Sequence, residues 1–196
     1  DIEIADNADF SRSPFITAKS LQLGIELKPL ILSKRLRITG ISLDNVGITL
    51  INASEGKWNF SDLGQKRQEA ASKARKSSGN SSQTDLLVEQ LKITDGQLII
   101  VDGNKKPTIY EDVTVTVRNF SSTSSFPFTL TASLPGGGNL KMEGTAGPLS
   151  AIDILRTPLD TSLIVDRFDL IASGFAHPNS GLSGVFNFTG KTMSNG

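Results

Sequence analysis

Apolar residues along this chain fall repeatedly at every second position. Leu21, Leu23, Ile25 and Leu27 alternate with Gln22, Gly24 and Glu26. A strand turns successive side chains to opposite faces, so this spacing predicts a strand with one apolar and one polar face. Lys28-Pro29-Leu30 interrupts it, because Pro has no ladder N–H, and a short helical turn through Leu32 is expected there. Leu36 and Ile38 resume the alternation, Ile41 and Leu43 fall on the opposite parity, and Val46, Ile48 and Leu50 switch back. Each change of parity needs a bulge or a turn, and Gly40 and Asp44-Asn45 are the positions suited to one. Trp58-Asn59-Phe60 follows the turn composition Glu55-Gly56-Lys57, and Ser61 can cap a short helix after it.

The second half reads as strand after strand. Leu91-Lys92-Ile93-Thr94 echoes Leu36-Arg37-Ile38-Thr39, and each precedes a second apolar run. The echo suggests a repeated strand pair. Val113, Val115 and Val117 alternate with threonines. Phe126, Phe128, Leu130, Ala132 and Leu134 alternate with Pro127, Thr129, Thr131 and Ser133. Gly136-Gly137-Gly138 then turns the chain into Leu140 and Met142, a hairpin signal. Leu163 and Val165 begin another strand, and Val185 to Phe188 form the last. Between the halves, residues 65–84 pass from a polar, basic stretch into a Ser-rich run that can bury almost nothing, which predicts a mobile loop. The expected organisation is an N-terminal β segment over 1–64, this loop, and a region of repeating strands over 85–196 that continues the same sheet.

Composition sharpens this picture. Hydrophobic residues make up 37%, and there are 18 glycines, which suits many short strands and turns. The formal net charge is zero, so no global field draws in nucleic acid, and the basic cluster at Lys66–Lys76 lacks an aromatic on which a base could stack. The absence of cysteine excludes disulfides and thiol catalysis. No apolar run reaches the roughly 18 residues of a spanning helix. Both ends read as cut from something longer.

Catalytic constellations are missing. His177, the only histidine, sits in the turn composition His177-Pro178-Asn179-Ser180-Gly181, and no Gly-x-Ser-x-Gly elbow accompanies it. Glu111-Asp112 are adjacent on a strand and diverge. Asp95-Gly96 and Asp102-Gly103 read as turn dipeptides rather than a calcium loop. Gly136-Gly137-Gly138 lacks the Gly-Lys-Ser/Thr of a phosphate loop. A hydrolase or glycan-binding domain would need a polar cleft around Asp or Glu. The expectation is a non-enzymatic chain with no metal site and no cofactor.

One stretch is more specific. Ile38 to Leu50, a strand–turn–strand pattern, is followed by Gly56-Lys57-Trp58-Asn59-Phe60-Ser61-Asp62-Leu63. This resembles the N-terminal region of the AsmA family, with its Gly-x-Trp-Asn-Phe-Ser/Asp-x-Leu signature. Asn7, Phe10, Pro14-Phe15, Lys28-Pro29-Leu30, Gly144-Thr145-Ala146-Gly147-Pro148-Leu149 and Thr157-Pro158-Leu159 agree with it. The resemblance implies a Gram-negative periplasmic protein, anchored in the inner membrane by an N-terminal helix that is not in this sequence. It also implies a link to outer-membrane biogenesis, and sheets that curl into an elongated groove like those of bridge-like lipid-transfer proteins.

The fold expected is therefore mostly β. One or more curved antiparallel sheets form an open apolar groove or a sandwich, with one or two short helices. An antiparallel sheet with one apolar face must cover that face. It can fold onto itself, as a structural or adaptor sandwich that binds another envelope protein through a sheet edge. It can instead curl and leave a trough for phospholipid or other acyl-chain lipid. The groove-facing candidates are Leu21, Leu23, Ile25, Leu27, Ile48, Leu50, Val113, Val115, Phe126, Phe128 and Leu130. Trp58 and Phe60 read as a packing plug at the end of a strand pair.

Overall fold

The computed structural model describes residues 1–8, 10–33, 37–53, 57–61, 87–103, 105–150 and 156–195. The loop expected over 65–84 and the helix expected after Ser61 lie outside the described residues. Nine strands form one sheet: β1 (Ile2–Ala5), β2 (Pro14–Ile25), β3 (Ile38–Asn52), β4 (Leu87–Asp102), β5 (Thr108–Ser121), β6 (Phe126–Leu134), β7 (Gly138–Ala146), β8 (Leu159–Asp169) and β9 (Val185–Ser194). Their order in the sheet is their order in the chain. Every neighbouring pair is antiparallel except β3 and β4, which run parallel. Strands make extensive contact only with their neighbours in sequence, so this is an open sheet and not the sandwich that the alternation also allowed.

One short helix, α1 (Leu27–Ser33), interrupts the connection from β2 to β3. Leu27 was expected at the end of the preceding strand; it begins this helix instead. Pro29 falls in the first helical turn, where a backbone N–H has no intrahelical partner, so a proline is tolerated at that position.

The hairpin between β6 and β7 is the one its glycines predict. Gly137 N–H donates to Leu134 O at 3.1 Å. Pro135 and Gly136, with φ +89°, occupy the two central positions of a type II turn. Along β6 the register to β7 is unbroken from Phe126↔Ala146 to Leu134↔Gly138. Phe126, Phe128, Leu130, Ala132 and Leu134 therefore share one face, and Thr129, Thr131 and Ser133 share the other.

Elsewhere the alternation is broken by residues in the left-handed region: Asn45, Asp95, Asp112, Asn119 and Arg167, with φ between 48° and 56°. Asn and Asp tolerate that region because their short polar side chains bond locally. Asn45 and Asp95 hold equivalent places on β3 and β4, since the parallel register pairs each residue with the one 50 positions on (Ile41↔Leu91, Ile48↔Leu98). Beside them Thr94 Oγ1 donates to Asp44 Oδ1 at 2.9 Å, tying the two kinks together. A further shift of register falls between Gly24 and Ile25, opposite Gly40 and Ile38. The bulge expected at Gly40 is present, whereas Asn45 is a left-handed kink across which the register to β2 and β4 does not shift.

One sequence expectation changes here. Asp95-Gly96 is not a turn between strands but a bulge inside β4. In the parallel ladder Leu91-Lys92-Ile93-Thr94 lies beside Ile41-Ser42-Leu43-Asp44.

β7 and β8 approach closely at Gly144↔Thr161. A Cβ on Gly144 would collide with Asp160 O and lie 2.7 Å from Thr161 Cα. Both obstacles are backbone. Gly144→Ala is expected to destabilise the chain by about 1–3 kcal/mol through overpacking, lowering the melting midpoint by roughly 2–4 °C per kcal/mol. A thermal melt within error of the parent would show that the two strands can separate there without loss.

Candidate apolar binding face

Cross-strand partners lie on the same face of a sheet, so the register itself assembles the site. Leu21 stands opposite Leu43, and Leu43 lies beside Ile93. The row continues through Val115, Leu130 and Met142 to Leu163. One step along, Leu23, Ile41, Leu91, Val117 and Phe128 form a second row. On the other side of the kinks, Ile4, Ile16, Ile48, Leu98 and Tyr110 form a third.

The kinks keep these rows on one face. Thr114 pairs with Thr131 and Glu111 with Ser133, with the bulge at Asp112 between them. Thr131 and Ser133 share the polar face of the regular strand β6, so Thr114 and Glu111 do too. Their neighbours Val115 and Tyr110 both turn to the apolar face despite their different parity. Asn45 and Asp95 do the same for β3 and β4, so Ile41 and Leu43 join Val46 and Ile48 across the change of parity.

Of the eleven candidates read from sequence, Leu21, Leu23, Ile25, Ile48, Leu50, Val113, Val115, Phe126, Phe128 and Leu130 fall on this face. Leu27 leaves it for α1. Phe126 is buried beneath Phe120, ring centroids 5.0 Å apart, and is the least available of them. Missed were Ile41, Leu43, Leu91, Ile93, Met142 and Leu163. For Ile41, Leu43, Leu91 and Ile93 the signal was alternation on a parity that the kinks reconcile; Met142 and Leu163 sit on regular stretches and are placed by the register alone.

No second sheet or helix layer covers this face among the described residues. Val46 and Val88 are nonetheless only 2% and 1% exposed. Others stay open: Leu21 and Leu23 are half exposed, and Phe186 and Phe188 at the β9 edge are similar. The opposite face is more polar, with Lys141 and Glu143 paired at 2.8 Å and threonines along β5 and β6, and with Ile109 and Ile164 exposed among them. A recess of about 530 Å³ opens on that polar side at the kinks, lined in part by Asn45, Asp95, Glu111 and Asp112. Among the described residues no cluster of His, Asp or Glu suits a metal ion. His177 lies in an exposed turn, where its Nδ1 accepts from Asn179 N–H at 3.2 Å.

The Trp-Asn-Phe segment pairs with the end of β3 through a bridge between Asn52 and Trp58. Trp58 and Phe60 pack at 5.6 Å between centroids. The hub is the residue between them. Asn59 is buried; its Oδ1 accepts from Ile51 N–H at 3.1 Å, and its Nδ2 donates to Thr49 O and Asp6 Oδ2, both at 2.9 Å. One side chain thus joins the end of β3 to the segment after β1. Nearby, Asn52 Nδ2 donates to Asp102 Oδ1 at 2.9 Å, linking the ends of the parallel strands.

Hydrogen bonding from Lys105, then from Asn52, together with the Lys105 charge, holds the Asp102 carboxyl below the usual carboxylate range. A carboxyl depressed on folding stabilises the native state above its unfolded pKa, about 3.9, and that contribution is lost as pH falls through the lower folded value. The Asp102 carboxyl is expected to titrate below an ordinary aspartate by carbon-detected NMR and to move back towards it in Lys105→Ala. An unchanged midpoint in that variant would remove Lys105 as the cause.

A model of the AsmA family matches residues 1–191. The chain belongs to the AsmA family. Its resemblance through the Trp-Asn-Phe signature thus extends over nearly the whole sequence, and membership suggests an envelope, lipid-related role. No curated protein and no solved structure matches the chain. Among the described residues of this AsmA family member, no helix is long and apolar enough to cross a membrane.

Proposed function

We propose that this AsmA family chain is a periplasmic segment that binds or conducts phospholipid acyl chains in outer-membrane biogenesis, held to the inner membrane by a helix N-terminal to this sequence. It acts without catalysis and without a cofactor. The observation that carries the reading is the continuous apolar face from β2 to β8, uncovered among the described residues and backed by a polar face. Strands sit about 4.8 Å apart, so a row from β2 to β8 runs for roughly 29 Å, about twice the acyl depth of one bilayer leaflet. Acyl chains covering it gain about 25 cal/mol for each Å² of apolar surface taken from water, and they ask for no polar contact. That accounts for a site rich in Leu, Ile and Val and poor in chemistry.

Native mass spectrometry of the purified chain, with extraction and identification of bound species, tests this. The expected result is a co-purifying phospholipid. A lipid-free mass that stays lipid-free after incubation with phospholipid would overturn it. The adaptor reading is favoured by one observation. Among the described residues no strand pairs with the outer edge of β9, where Val185, Phe186 and Phe188 are exposed, and such an edge can receive a strand from another protein.

A further inference from the structure

Three of the most exposed aliphatic side chains in the molecule sit on α1: Leu27, Ile31 and Leu32 are 63%, 74% and 82% exposed. Exposure on that scale is unusual for a cluster and needs an occupant. The helix is not loose at its base. Glu26 N–H donates to Arg37 O at 3.0 Å, and the Arg37 guanidinium pairs with Glu26 at 3.2 Å and Glu89 at 2.9 Å. The connection is thus pinned where it leaves the sheet.

Charge identifies the occupant. From Leu27 to Leu36 the sequence carries Lys28, Lys34 and Arg35 and no acid. In this stretch of sequence, aliphatic residues interspersed with cations suit an anionic lipid surface, where the side chains enter the acyl boundary and the cations meet phosphate. A protein interface core would instead be enriched in aromatics and Met, and this segment has neither. At seven residues the helix is about 10 Å long, far too short to span a bilayer and long enough to rest in one leaflet.

We propose that α1 is a membrane foot: Ile31 and Leu32 enter the surface of an anionic bilayer, Lys28 contacts lipid phosphates, and the β2 margin of the apolar face is set against that surface. The membrane contact stands by itself. Only the further point, that Leu21, Leu23 and Ile25 make β2 the mouth through which acyl chains enter, rests on the lipid-binding reading.

Flotation with vesicles of phosphatidylethanolamine and phosphatidylglycerol, against vesicles of phosphatidylcholine alone, tests it. The parent chain is expected to float with the anionic vesicles and weakly with the neutral ones. Ile31→Asp with Leu32→Asp should cut that binding by about tenfold or more with an unchanged thermal melt, since both positions are exposed. Lys28→Glu, which leaves the aliphatic residues in place, should weaken flotation with the anionic vesicles alone. A variant altered in the centre of the apolar face, Leu130→Asp with Met142→Lys, should float like the parent even where it no longer carries lipid, which separates the foot from the trough. The proposal is overturned if the parent floats with neither vesicle, or if the α1 variant floats as well as the parent. A parent dimer that the α1 variant disperses would also overturn it, because the cluster would then be a contact between copies.

Discussion

Leu130→Asp combined with Met142→Lys is expected to strip bound phospholipid from the chain while leaving the sheet folded. The two residues face each other directly across β6 and β7, in the middle of the longest apolar row. Opposite charges placed directly across an antiparallel pair support the pairing, so the ladder survives the exchange. The acyl chain does not benefit, because it would have to lie over a desolvated ion pair. Covering a Leu or Met side chain contributes about 1.5–3 kcal/mol, so a loss of about 3 kcal/mol lowers lipid affinity roughly a hundredfold. In native mass spectra the lipid-bound peak should collapse, with the far-ultraviolet circular dichroism unchanged. A persistent lipid-bound peak in a folded variant would show that the lipid sits elsewhere.

Asn59→Ala is expected to be the most damaging single change at the end of the sheet. It leaves the Ile51 N–H, the Thr49 carbonyl and the Asp6 carboxylate without the partner that Asn59 gives each. An unsatisfied buried group costs about 1–3 kcal/mol. A total near 3 kcal/mol lowers the melting midpoint by roughly 6–12 °C for a chain of this size. Trp58→Phe, which keeps the ring contact with Phe60, should cost much less. If the two variants melt together, the hydrogen-bond hub is not what holds the segment.

The strands of this fold were legible because they are amphipathic and their alternation is physical. The run from Phe126 to Leu134 reads from sequence as it stands in the sheet, and so does the Gly-rich turn after it. What the pattern could not carry was the continuity of a face across a kink. Ile41 and Leu43 looked misplaced beside Val46 and Ile48, although a left-handed Asn45 puts all four together. Asp95-Gly96 carries the composition of a turn, and only its parallel neighbour Asn45 makes it a bulge within a strand. Leu27 continued a strand parity, yet it opens a helix. Trp58 and Phe60 drew attention by size, whereas the order at that corner depends on the amide between them. An Asn gives no sign in sequence of how many backbone groups it will satisfy.

The neighbour-only pairing of the strands also bears on how the chain reaches this state. From β4 to β9 every ladder joins consecutive strands, so each can form once a short connection has closed. β3 with β4 is different. Its parallel register joins residues separated by the whole of 53–86, the one ladder here that must wait for a long closure. Loop entropy is lost before those contacts form, and it rises by only about 0.6 kcal/mol for each doubling of length. Folding rates follow the sequence separation of native contacts. The C-terminal strands are thus the fast, locally assembled part of the molecule, and the docking of the N-terminal strands onto them is its slow step. The length of the intervening segment can change widely with little effect on the equilibrium, and the speed of that docking is where its sequence would be felt.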